Sequence, residues 1–118
     1  MRTTLAGADI VTASDLTLVE CDRVLHRASF TEEIPEAEAA SRRAMLSRAA
    51  AHWVVFRIDT DVVERARRPF PVEPIRTLDA LHLAHALLVR SLVPDLQLLT
   101  LDKRVRDNGA ALGFDTIP

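Results

Sequence analysis

The sequence predicts an α/β fold built on a mostly parallel sheet. The observation that carries this is that short apolar, β-branched runs alternate along the chain with longer stretches of helical periodicity; separately, the 118 residues suffice for one core but not two. A single domain spanning residues 1–118 is therefore expected. Asp9–Ala13 is the first strand-like run. Ser14 or Asp15 can cap the helix after it, about Leu16–Ser29, in which Leu18, Cys21, Leu25 and Ala28 form an apolar stripe. Pro35 can open a second helix, with Glu36 and Glu38 in its acidic first turn, running to about His52. Trp53–Ile58 reads as a strand and Thr60–Arg67 as a short helix. Three prolines in Arg68–Pro74 make that stretch a connector. Thr77 is the expected cap of a long apolar helix to about Leu92. Leu96–Leu101 reads as a buried strand, Asp102 as the cap of a last helix ended by Gly113, and Phe114–Ile117 as a final strand. The strands 9–13, 54–58, 96–101 and 114–117 should belong to one sheet with helices on both faces.

Composition narrows the function classes. A balance of 48% hydrophobic and 27% charged residues excludes a disordered or collagen-like chain. The lone Cys21 excludes a disulfide framework and a cysteine zinc cluster. No apolar run is long enough to span a membrane, and Met1–Ala8 lacks the layout of a signal peptide, so a cytoplasmic location is expected. The net charge of −2 exerts no general pull on nucleic acid. Fourteen of the fifteen basic residues are Arg, the exception being Lys103. That skew suits planar, bidentate partners such as phosphate and carboxylate, and equally reflects codon bias.

Three acids fall where chemistry could use them. Glu20 lies at the border of the first helix's apolar stripe, Asp79 in the first turn of the helix begun at Thr77, and Asp102 at the carboxyl end of a strand, where ligands gather in parallel sheets. A carboxylate cluster needs a counter-charge, and Mg²⁺ or Mn²⁺ is the usual partner of oxygen-only ligands. Each acid also has a plain structural explanation: Asp79 favours a helix N-terminus, Asp102 is a good N-cap, and Glu20 can be a surface glutamate. His82 and His85 lie three apart without an H-E-x-x-H pattern, and read as core or cleft-edge histidines. Asp107 and Asn108 read as helix-end polar residues. Ser14 and Cys21 lack a nucleophile elbow, and three glycines in the whole chain make no phosphate loop.

Arg76-Thr77-Leu78-Asp79-Ala80-Leu81-His82-Leu83-Ala84, followed by Leu98-Leu99-Thr100-Leu101-Asp102-Lys103-Arg104, resembles the carboxyl half of PIN-domain ribonucleases, with VapC-type toxins of bacterial toxin–antitoxin pairs as the nearest kin. The run Ile10–Glu20 is similar to the family's second strand and the acidic helix after it. The resemblance implies a three-layer α/β/α fold and an Mg²⁺- or Mn²⁺-dependent endoribonuclease. Glu20, Asp79 and Asp102 would then be the metal-binding and catalytic acids, set near the hydroxyl of Thr100. It also implies an RNA substrate, a cognate antitoxin entering the acidic cleft, and a homodimer.

One departure stands out. Family members open with a strand carrying a first catalytic aspartate, whereas Met1–Ala8 matches the end of the helix after that strand. Neither Asp9 nor Asp15 corresponds to that aspartate. The alternative to a nuclease is therefore an inactive PIN-like module binding an antitoxin-like partner or RNA. A third reading takes all three acids as helix caps in a small interaction domain. Loss of a central strand also leads to the expectation of a dimer joined through Leu16–Ser29 or Pro35–His52, covering unpaired edges and apolar surface.

Overall fold

In the computed structural model, which describes residues 9–117, the chain forms two compact units, one within Arg2–Arg57 and the other within Ile58–Pro118. The expectation attached to Met1–Ala8 lies outside the described residues.

The N-terminal unit contains β1 (Thr12–Ser14), α1 (Asp15–Phe30), α2 (Glu36–Ala50) and β2 (Val54–Phe56). Ser14 caps α1 as expected, its Oγ accepting from Thr17 N at 3.3 Å. The stripe of Leu18, Cys21, Leu25 and Ala28 is half-buried. At the far end Glu32 adopts φ 62°, while Glu32 N donates to Ser29 O and Glu33 N to Ala28 O. Those two bonds form the helix-ending motif in which glycine is usual. Pro35 precedes α2, as expected. β1 and β2 run parallel, with Thr12 opposite Val54 and Ser14 opposite Phe56.

The C-terminal unit contains α3 (Thr60–Ala66), α4 (Thr77–Leu92), β3 (Gln97–Leu99), α5 (Lys103–Ala111) and β4 (Asp115–Ile117). Its core gathers Val62, Phe70, Leu83, Ala84 and Val105, flanked by residues such as Ile75, Leu87 and Leu98. The apolar periodicity of α4 accounts for this: Leu83, Ala84, Ala86 and Val89 are all buried. β3 and β4 are parallel, with Gln97 opposite Asp115. Gly113, at φ 90°, ends α5, and the bonds from Gly113 N to Ala110 O and from Phe114 N to Gly109 O satisfy its last carbonyls. At Gly109 the helix lies so close to the sheet that a Cβ would come within 2.6 Å of Leu98 Cδ2.

The parallel α/β character is borne out, but two details differ. The strands are three residues each and form two separate two-stranded sheets rather than one. Among the described residues no strand pairs on both sides, because each finds its single neighbour within its own unit. The N-cap of α4 is Arg76, not Thr77, and it makes no side-chain cap bond.

The proline-rich connector is held down by two side chains. The Glu73 carboxylate accepts from Phe70 N and from Ile75 N, both at 2.9 Å. Asn108, fully buried on α5, binds Val72 from both sides: Oδ1 accepts from Val72 N at 2.8 Å, and Nδ2 donates to Val72 O at 2.9 Å and to Arg104 O at 3.0 Å. Asn108→Ala should lower stability by about 2–3 kcal/mol, since a fully buried amide loses its three hydrogen bonds and two Val72 backbone groups lose a partner. Urea denaturation followed by circular dichroism checks this.

Candidate active site

Two of the three sequence-selected acids come together at one place in the C-terminal unit. Asp79 sits in the first turn of α4, where the helix dipole favours a carboxylate, and its side chain is 12% exposed. Asp102 lies three residues past the end of β3 and caps α5, its Oδ1 accepting from Arg104 N at 2.9 Å and Val105 N at 3.1 Å. The Thr100 hydroxyl accepts from Asp102 N at 3.1 Å, fixing the turn that presents the acid. The expectations for the Asp102 cap and for a Thr100 hydroxyl beside it thus hold.

The two carboxylates are bridged by a residue to which the sequence assigned no role. Arg76 donates from Nε to Asp79 Oδ2 at 3.2 Å and from Nη2 to Asp102 Oδ2 at 3.3 Å. Its guanidinium is the counter-charge that two converging carboxylates require. The available signal was its spacing: a cation three residues before Asp79, at a helix start, lies on the same face as that acid. Nearby, Arg106 donates from Nη2 to Thr100 O at 3.3 Å, while its buried Nε has no hydrogen-bond partner.

Glu20 belongs to the other unit, half-buried on α1. Its charge is felt by the neighbouring thiol: Cys21 is pushed above the usual thiol range, first by burial, then by Glu20 and Asp22. Cys21 therefore stays protonated at neutral pH and is a poor nucleophile, consistent with the lack of a nucleophile motif. His85 is buried and His82 half-buried. Among the described residues no group of three or more His, Cys, Asp or Glu side chains could hold a metal ion.

The Asp79–Asp102 pair nonetheless suits a hard divalent cation. Both donors are carboxylate oxygens, a cationic group already occupies the position they share, and Mg²⁺ is commonly held by one or two carboxylates with water filling the remainder.

Helices and parallel strands, with Asp79 in the first turn of α4 and Asp102 at the N-cap of α5, make an α/β domain with a paired-carboxylate site. The PIN domain family model matches residues 1–111, and the chain belongs to that family. Its fold class is accordingly the three-layer α/β/α PIN fold, whose members are generally nucleases that use divalent metals. No curated protein matches the chain.

Asp102 has a structural duty besides any chemical one. Asp102→Ala should cost about 1–2 kcal/mol through the lost cap, whereas Asp102→Ser, which retains a capping oxygen, should cost a few tenths. Comparison of the two urea midpoints separates the cap from the charge.

Proposed function

We propose that this chain is a divalent-metal-dependent endoribonuclease of the VapC toxin type, cleaving RNA phosphodiester bonds, with Glu20, Asp79 and Asp102 as its acidic residues. The observation that supports this best is the sharing of one cation position by Asp79 and Asp102, on top of the family membership. Mg²⁺ or Mn²⁺, when bound, supplies charge to offset that developing on the phosphate and lowers the pKa of an attacking water. The chain's own contribution is to present the two carboxylates on helix starts and to orient Asp102 through its cap and Thr100. One of the acids accepts the proton from the attacking water.

We further propose that residues 1–118 act as a single domain in the cytoplasm, that the chain forms a homodimer, and that a cognate antitoxin protein silences it. No helix among the described residues is long and apolar enough to cross a membrane. Val19, Val24 and Phe30 on α1 are mostly exposed, Phe30 at 92%, and apolar surface of this kind favours a second copy.

Cleavage of a structured RNA should require Mg²⁺ or Mn²⁺ and stop in EDTA. Asp79→Asn should reduce the rate at least a hundredfold while leaving the circular dichroism spectrum unchanged, because the amide keeps the shape of the carboxylate. Divalent-ion binding without cleavage would instead indicate an inactive module that binds an antitoxin-like partner or RNA. Light scattering at micromolar concentration should give twice the 13.1 kDa chain mass, and the chain mass itself would remove the dimer from the proposal.

A further inference from the structure

Arg76 lies between the two carboxylates, where a metal ion bridging them would sit. The Oδ2 atoms of Asp79 and Asp102 both face its guanidinium. Asp102 Oδ1 is engaged by the two amides at the start of α5, so a second cation that reaches both carboxylates must compete with Arg76 for Asp102 Oδ2. An arginine cannot give way by losing its proton, so it must give way by moving. The attachment is suited to that. At 3.2 and 3.3 Å the contacts are longer than the 2.7–2.9 Å of strong charge-assisted bonds, and the side chain is 70% exposed. The start of α4 does not depend on the side chain either, because Arg76 makes no side-chain cap bond there.

We propose that Arg76 is the resident counter-cation of the acid pair, a competitor that a divalent ion must displace, so that metal entry and release of this guanidinium are one event. This rests on the reading of Asp79 and Asp102 as a metal centre. Before metal enters, Arg76 keeps two close carboxylates from repelling one another. After displacement, the guanidinium is a free bidentate fork beside the site, of the geometry that grips phosphate.

The test is titration of the RNA-free full chain with MnCl₂ by calorimetry, comparing wild type with Arg76→Met and Arg76→Lys. Exposed ion pairs contribute up to about 1 kcal/mol each, so Arg76→Met should bind Mn²⁺ about three- to tenfold more tightly, with Arg76→Lys in between. The metal-free Arg76→Met protein should also unfold at lower temperature than wild type and gain more from added Mn²⁺. In the unaltered protein, the Arg76 Nε–H resonance should shift as Mg²⁺ saturates the site. Equal or weaker Mn²⁺ binding by Arg76→Met, or an unmoved resonance at saturation, would overturn the proposal and leave the metal centre standing. An absence of binding in wild type and both variants would overturn the two together.

Discussion

The amide of Asn108 is the contact on which the C-terminal unit is organised. It offers Val72 the donor and acceptor that a neighbouring strand would offer, and it does so from a fully buried position on α5. The connector between α3 and α4 has no regular structure to satisfy its backbone, and prolines remove several of its donors. Asn108 and Glu73 together replace the missing ladder. The consequence reaches the acids. The connector leads into Arg76 and α4, and Asn108 sits on the helix that Asp102 caps, so one buried side chain ties together both carriers of the site. Helix starts are also suited to anionic side chains, since unpaired amides and the dipole favour negative charge there.

The two units are stabilised unevenly. The C-terminal unit has a core of aliphatic and aromatic side chains around α4, reinforced by guanidinium–ring stacking of Arg65 on Phe70 at 4.2 Å and Arg90 on Phe114 at 4.1 Å. In the N-terminal unit, α1 has no fully buried residue and α2 only Ala39. With few apolar groups removed from water, its helices depend more on caps and local pairs such as Arg42–Glu38, each a small contribution.

Much of the architecture was legible from residue order because it is local. Ser14 and Asp102 open their helices and Gly113 ends one, each through bonds to residues within four positions, and the stripe of α1 comes from helical spacing alone. What escaped depends on distant partners. Thr77 looked like the cap of α4, yet the cap lies one residue earlier at Arg76, whose side chain turns to Asp79 and Asp102. Asn108 looked like a helix-end polar residue, and its role requires knowing that Val72, thirty-six positions away, lies against it. Strands of three residues carry too little periodicity to say which strand pairs with which, so the division into two sheets was not readable. For the candidate site, the Asp79–Asp102 pairing could be expected from their placement at element ends, and the bridging arginine could not.

The cations that hold the described structure together are guanidinium groups: Arg76 between the acids, Arg90 on the Leu112 carbonyl at 2.8 Å, Arg65 and Arg90 on their rings, and Arg106 on Thr100. The one primary side-chain amine, Lys103, pairs on the surface with Asp107. Acylating metabolites and acetylating enzymes act on amines, so in this chain modification of side chains by that route would neutralise one peripheral charge and leave these guanidinium contacts intact. Nor does a rise in pH discharge guanidinium groups in any physiological range. Of the guanidinium contacts named, only the Arg76 bridge ends on carboxylates; the others end on backbone carbonyls and ring faces, which carry no charge to lose.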